Sequence, residues 1–273
     1  MWWARRDPPT AIAAAVLVLL VCGSLAIPAV SPYSYGGQNL EQTFRAPGPT
    51  HWLGTDHLGR DILVRVAYGA RISFLISVLA VAAHTVIGIV VGMASGFLGG
   101  WVDGGLMRMT DVFLVFPPLL FLILITGLLG PSLVNIIIAL SAVGWAGMAR
   151  QVRAEALLLR EREFVTAARA SGATDRWILG RHVFINIVTL ALVRASLDIG
   201  PVILSEATLS FLGIGIQPPT PSWGVMIADG FTHLRTYPYL TAIPSAVLSI
   251  AIVAVTFVGE GIAEARDPRW RRR

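Results

Sequence analysis

The chain has 273 residues, of which 55% are hydrophobic and 14% are charged, whereas soluble domains carry about 25% charged residues. This composition excludes an ordinary water-soluble domain and predicts an all-α polytopic membrane protein, since a transmembrane helix needs about 20 mostly apolar residues. The single cysteine, Cys22, excludes an intrachain disulfide and a cysteine metal cage, and the 21 basic residues are all arginine, which excludes lysine chemistry.

Six apolar runs predict six transmembrane helices. They cover residues 11–30, 72–97, 112–130, 133–149, 187–213 and 240–262. A cleaved signal peptide is the alternative for the first run, because Arg5 and Arg6 precede it, but its continuation to Val30 favours an uncleaved anchor. In the third run, Pro117 and Pro118 predict a kink.

The distribution of arginine predicts that both ends of the chain are cytoplasmic. With six spans, this orientation places fifteen arginines inside and four outside, as the positive-inside rule requires. The net charge of +5 is then explained by topology and anionic lipid, with no nucleic acid as partner. The predicted organisation is a cytoplasmic N-terminus and anchor helix over 1–30, an external loop over 31–71, a core of five transmembrane helices over 72–262 that includes a cytoplasmic loop over 150–186, and a basic cytoplasmic tail over 263–273.

Charged residues in the external loop have two interpretations. Asp56, Arg60 and Asp61 can hold the loop by pairing with one another, or they can meet another protein. We favour the self-bonded loop. The histidines are scattered without the spacing of metal ligands, so the sequence predicts no metal site.

Three glycines in the second run recur at intervals of four residues. Gly88, Gly92 and Gly96 would let another helix approach closely. Packing within the chain is favoured over packing against another subunit.

The cytoplasmic loop over 150–186 is charged, yet its apolar residues recur with helical spacing. One face of a first helix would carry Phe164, Ala167, Ala168 and Ser171. Gly172 predicts a helix stop, and Thr174 with Asp175 can open a second short helix. The small residues leave room for another protein's backbone, so a docking helix-turn-helix is one of two interpretations between which these residues alone do not decide. A solvated charged loop is the alternative.

Five separated motifs, within about residues 50–270, resemble the permeases of bacterial ABC importers. Thr166-Ala167-Ala168, then Gly172, then His182-Val183-Phe184-Ile185-Asn186 resemble the EAA loop of that family. The others resemble its dipeptide/oligopeptide/nickel branch, and they are Leu53–Asp61, Phe97–Asp103, Ala207–Gly215 and Pro221–Gly224. The short anchor before a long external loop looks most like the C-type subunit of that branch.

This resemblance implies a type I ABC importer permease fold and a chain that is not itself an enzyme. It implies peptide import, with nickel chelates or another small solute as the alternative. The implied partners are a second homologous permease, two ATPase subunits that bind ATP and magnesium, an extracytoplasmic solute-binding protein and membrane lipid. No cofactor is expected in this chain. The implied ATPase-coupling residues are Glu163, Thr166, Ala167, Ala168, Gly172, Trp177, Ile178, Arg181 and His182.

The chain departs from the family pattern at two places. Thr166 stands where the family usually has glutamate, and Phe184-Ile185 stand where it usually has Leu-Pro. Without that proline, the second coupling helix is predicted to run on towards the fifth span.

Three ionisable residues lie in the fifth span. At 100° per residue, Arg194 and Asp198 lie about 40° apart and Glu206 about a further 80° round, which predicts one polar stripe. Such residues either line a translocation path or lock helices together, and near a helix end they can also reach the membrane surface.

Two other functions compete with the importer subunit. A self-contained carrier would need an inverted repeat, which the sequence does not show. An intramembrane serine protease is suggested by Ser95 and the nearby His84, but the small residue expected two positions before the serine is displaced by one.

Overall fold

The structure, a computed structural model, describes residues 8–266, and within them the chain is helical apart from loops and one isolated bridge between Thr55 and Asp61. The helices are α1 (Pro8–Val30), α2 (Ile62–Leu98), α3 (Gly100–Val115), α4 (Pro118–Leu129), α5 (Leu133–Arg160), α6 (Glu163–Ala170), α7 (Asp175–Ile178), α8 (Phe184–Phe211), α9 (Trp223–Phe231) and α10 (Tyr239–Arg266). A 3-10 turn covers Leu40–Gln42, and a π-helical stretch covers Leu179–Val183. Arg5, Arg6 and most of the predicted tail over 263–273 lie outside the described residues.

Five helical segments are long and apolar enough to cross a membrane, and they are α1, α2, α5, the run Asp175–Phe211 that contains α8, and α10. The predicted span 112–130 is instead part of a bent pair, because α3 and α4 meet at 92°. The backbone leaves the helical conformation at Phe116 and Pro117. Proline lacks an N–H and disfavours helix in the preceding residue, so the predicted kink is confirmed. Six spans result when the bent pair counts as one.

α2 is longer than the sequence predicted. It begins at Ile62 and takes in the last ten residues of the predicted external loop over 31–71. Arg65 made this segment look like a loop, but its side chain is only 2% exposed and lies 3.5 Å from the carboxylate of Asp56. A paired arginine can therefore stand in the first turn of this helix. We call the remaining segment, residues 31–61, the cap.

The core of the bundle is built around α2, which packs along α5 and also touches α1 and α8. Gly88, Gly92 and Gly96 face α5, and a Cβ at any of them would lie 2.4 to 2.6 Å from an α5 atom. Real Cβ atoms do not approach other heavy atoms so closely, so only glycine permits this helix spacing. The predicted use of these glycines for packing within the chain is confirmed.

The first helix belongs to the bundle. α1 packs against α2 and α10, with Ala13 buried. On α10, Gly261 makes room for α1, since a Cβ there would lie 2.4 Å from a side-chain carbon of Thr10. α1 is therefore packed as part of the helix bundle.

The cap covers one end of the bundle and is held by buried charges. Arg60 Nε lies 2.6 Å from Asp56 Oδ2, and Arg60 Nη2 reaches Asp229 of α9 at 3.4 Å. Asp61 caps the start of α2 and lies 2.8 Å from His51 Nδ1. Asp56, Arg60 and Asp61 are each less than 10% exposed. The self-bonded interpretation of these residues is confirmed.

Candidate functional site

The segment between α5 and α8 forms a helix-turn-helix at the end of the bundle opposite the cap. α6 ends at Ala170, and Gly172 follows at φ +84°, a conformation that favours glycine. The Thr174 side chain then accepts the N–H of Trp177 and caps α7. We call residues 161–183 the coupling loop. The predicted stop at Gly172 and start at Thr174 are both present.

The coupling loop continues into α8 without a break. The N–H of Phe184 bonds the carbonyl of Leu179, five residues earlier, so the π-helical stretch keeps the backbone hydrogen-bonded between α7 and α8. Asp175–Phe211 is one helical run of 37 residues. The continuity predicted from the missing proline at Ile185 is observed.

Four apolar side chains fasten the coupling loop and the start of α8 to the bundle. They are Val165, Ile178, Val183 and Ile187, all fully buried. They pack in one cluster with Phe97 of α2 and with Val152 and Ala156 of α5. Ile178 was predicted to be a coupling residue, but a side chain inside this cluster anchors the loop and is not available to a partner. The other three were missed by the sequence argument.

The opposite side of the coupling loop is open. Glu163, Thr166, Ala167, Gly172, Trp177 and Arg181 are exposed, and Ala168 and His182 are half-buried. The Trp177 ring is 51% exposed and meets the His182 ring edge-on, with the ring centroids 5.0 Å apart. Aromatic side chains on an open surface are typical of protein interfaces. The predicted coupling residues other than Ile178 are thus exposed or half-buried, and Ala168, Gly172, Trp177 and His182 line one open pocket.

Charged contacts connect the coupling loop to the ends of the neighbouring helices. The guanidinium of Arg169 lies 5.4 Å from the centre of the Phe97 ring at the end of α2. Separately, Arg153 of α5 donates two hydrogen bonds of 2.5 and 2.6 Å to the carboxylate of Asp103 on α3. Because Arg169 and the buried apolar cluster contact α2 and α5, a displacement of the loop would be transmitted to these two helices.

The ionisable residues of α8 separate into two groups. Arg194 Nε lies 2.9 Å from Asp198 Oδ1, and Asp198 Oδ2 lies 3.4 Å from His84 Nε2 on α2. Glu206 is fully buried elsewhere, where Ser73 of α2 and Ser210 of α8 donate hydrogen bonds of 2.8 Å to its carboxyl group. The predicted single stripe of three ionisable residues is therefore not formed. For Glu206, the geometry is that of the helix-locking alternative.

Replacing Glu206 with leucine is expected to destabilise the chain by roughly 1–3 kcal/mol, because two buried hydroxyls lose their acceptor. Glu206→Gln keeps an acceptor oxygen and should lose less. Thermal unfolding in detergent measures the difference. Ser205→Ala is the matched control, because that hydroxyl bonds only the carbonyl of Pro201 in its own helix. A leucine variant as stable as the unmodified chain would contradict the lock.

The residues behind the protease alternative do not form a catalytic pair. Ser95 donates to Asp103 near the end of α2, whereas His84 lies eleven residues earlier, roughly 16 Å along the same helix. A nucleophile and its base need to be within hydrogen-bond reach. Among residues 8–266, no cluster of three or more His, Cys, Asp or Glu side chains could hold a metal ion.

Known proteins are similar in sequence to this chain over nearly its whole length. The oligopeptide transport system permease protein OppC of Bacillus subtilis is 38% identical over 257 residues, which cover 94% of this chain and 84% of that protein. The dipeptide transport system permease protein DppC of the same organism is 37% identical over 273 residues, with 99% and 85% covered. OppC of Mycobacterium tuberculosis is 36% identical over 268 residues, with 97% and 92% covered. Residues 88–272 match the family described as the inner membrane component of binding-protein-dependent transport systems. The chain therefore belongs to this family and is a permease subunit rather than an enzyme.

Proposed function

We propose that this chain is the transmembrane subunit of an ATP-driven ABC importer of dipeptides and oligopeptides. The names of the relatives, which align with 94% or more of the chain, support this substrate class. In the assembly, this chain forms half of the translocation path and a second homologous permease forms the other half. Two ATPase subunits and an extracytoplasmic solute-binding protein complete it. ATP and magnesium bind to the ATPase subunits, and no cofactor binds to this chain.

The observation that carries the proposal is the coupling loop. It projects from a membrane-spanning bundle, carries exposed aromatic and small side chains, and is anchored to the helices by a separate buried face. A loop that only connected two helices would not need both an exposed face with aromatic and small side chains and a buried face that anchors it. An ATPase subunit that binds the open face can push on the bundle through the anchored one.

Transport then proceeds by alternating access. The ATPase subunits close on ATP and draw the coupling loops of the two permeases together. The helix bundle opens outward and accepts a peptide from the binding protein. Hydrolysis resets it inward, and the peptide leaves on the cytoplasmic side.

The chain is proposed to lie in a bacterial inner membrane with both termini and the coupling loop cytoplasmic and the cap outside. Fifteen arginines on the cytoplasmic side against four outside support this orientation. The anchor helix α1 is retained, as its packing against α10 supports, and the chain is the C-type subunit. Anionic lipid contacts the arginines at the cytoplasmic surface.

Purification of the tagged chain from its native host in mild detergent tests this function. A second permease and ATPase subunits should copurify, ATP should be hydrolysed, and vesicles that contain the complex and its binding protein should take up peptides. A complex that hydrolyses ATP but takes up nickel chelates or another small solute would replace the substrate class. A chain that transports alone would favour a self-contained carrier and would overturn the importer.

A further inference from the structure

One face of α8 is polar, although the helix belongs to the membrane-spanning bundle. At 100° per residue, five of its residues fall within an arc of about 80°. They are Arg194, Asp198, Pro201, Ser205 and Thr208, and all are exposed or half-buried. We call the four with polar side chains, Arg194, Asp198, Ser205 and Thr208, the polar stripe. Glu206 lies outside the arc and is fully buried. The polar stripe therefore faces out of this chain, towards whatever surrounds it in the membrane.

Contact with lipid is energetically unfavourable for the polar stripe. The Arg194 side chain is 48% exposed, and its Cα lies ten residues, roughly 15 Å, along α8 from Phe184. Ionisable side chains within a membrane-spanning helix almost always face a water-filled cavity or other protein groups, because hydrocarbon strongly disfavours them. The hydroxyls of Ser205 and Thr208 extend the same face by almost three further turns beyond Asp198.

Arg194 does not reach back to the nearer membrane surface. A long side chain near a helix end can place its charge in the interface, and for Arg194 the nearer end is the coupling loop. Its Nε instead contacts Asp198, one turn further from that end. The guanidinium is thus held towards the middle of the span.

The Asp198 carboxylate lies between Arg194 and His84. One carboxylate oxygen contacts Arg194, and the other lies 3.4 Å from Nε2 of His84, a side chain that is 1% exposed. Neither ring nitrogen of His84 has a hydrogen-bond partner among the described residues. Gly144 of α5 makes room for the ring, since a Cβ there would lie 2.3 Å from its Nδ1. Packing thus holds the imidazole next to the Asp198 carboxylate, without a hydrogen bond between them.

We propose that the polar stripe lines the water-filled path for substrate and that Arg194 binds the terminal carboxylate of the passing peptide. This inference rests on the proposed function, which supplies both the path and a substrate with that group. An arginine that contacts one carboxylate through Nε keeps two terminal NH2 groups, which can bind a second carboxylate. Asp198 and His84 are positioning residues, and sharing the guanidinium with Asp198 keeps the bound peptide exchangeable.

Uptake by the complete transporter in lipid vesicles, with its binding protein, tests the carboxylate site. The probes are trialanine and trialanine with an amidated C-terminus. Arg194→Gln is expected to lower the ratio of trialanine to amide uptake about tenfold, equivalent to ~1.4 kcal/mol. Arg71→Gln removes an exposed arginine from α2 and should leave the ratio unchanged. An unchanged ratio in Arg194→Gln would overturn the site, while copurification and ATP hydrolysis report separately on the importer.

Thiol labelling tests the path without requiring transport. In a chain whose Cys22 is replaced by serine, a cysteine at Ser205 or Thr208 should react with a water-soluble maleimide in intact vesicles. A cysteine at Val253, exposed on the apolar surface of α10, should react far more slowly. Equal protection of Ser205→Cys, Thr208→Cys and Val253→Cys would show that the stripe does not face water, even if Arg194→Gln fails to fold.

Discussion

A Gly92→Leu variant is expected not to accumulate as a folded membrane protein. A Cβ at this position would lie 2.5 Å from the carbonyl oxygen of Ala149 and 2.6 Å from Cβ of Val152, both on α5. Backbone atoms cannot rotate away, so α2 and α5 must separate. Overpacking costs about 1–3 kcal/mol where side chains can adjust, and here the helix contact itself is lost. The same clash recurs one turn away at Gly88 and at Gly96.

The amount of chain extracted from membranes and its retention on gel filtration measure this effect. Gly104→Leu is the matched control, because no other atom lies within 4 Å of a Cβ at that α3 position. It adds the same side chain without a clash inside the chain. Normal amounts of well-behaved Gly92→Leu would mean that α2 and α5 are not packed as described.

An Ala167→Glu variant is expected to insert and fold but to lose most of its peptide transport, by at least about tenfold, which corresponds to ~1.4 kcal/mol. Ala167 is exposed on α6, so a glutamate there meets only water in the isolated chain. At the interface with an ATPase subunit, the same carboxylate would be buried without a partner, which is strongly unfavourable. Docking, and with it the coupling of ATP hydrolysis to transport, should fail.

Uptake and ATP hydrolysis are measured together on the reconstituted complex. Ala154→Glu places the same charge at another exposed alanine, on α5, and should transport normally. Gly172→Asp should also uncouple, since a side chain at φ +84° strains the turn between α6 and α7. Normal uptake by Ala167→Glu would show that the open face of the coupling loop is not where an ATPase subunit docks.

Features that depend on local sequence could be predicted. Local sequence features act only on neighbouring residues. The apolar runs predicted the membrane-spanning helices, the proline pair at residues 117–118 predicted the kink between α3 and α4, and Gly172 predicted the end of α6. The helical continuity beyond Ile185 followed from one missing proline. These effects do not depend on contacts between distant residues. The six spans and the helix-turn-helix could therefore be predicted from the sequence alone.

Features that depend on partners far along the chain could not be predicted. From the sequence alone, Arg65 was placed in the external loop. The structure shows that it lies in α2, where Asp56 and Asp229 pair with it. From the sequence alone, Ile178 was assigned to the docking face. The structure shows that it is buried against α2 and α5. His84 was considered only as a partner of Ser95, and nothing in the sequence indicated its neighbour Asp198, which is more than a hundred residues away.

The unbroken run Asp175–Phe211 makes the coupling loop and the polar stripe parts of one lever. Glu206, which is hydrogen-bonded to Ser73 of α2, can serve as the pivot of this lever. Along the helix, Trp177 lies about 44 Å and Arg194 about 18 Å from Glu206. Distances between spin labels at these two sites and α2, with and without ATP, would measure the swing. If the run moves as a rigid body, a push at the loop reaches Arg194 as a parallel movement about two-fifths as large. Pro201, between Arg194 and Glu206, is the position at which the run would bend.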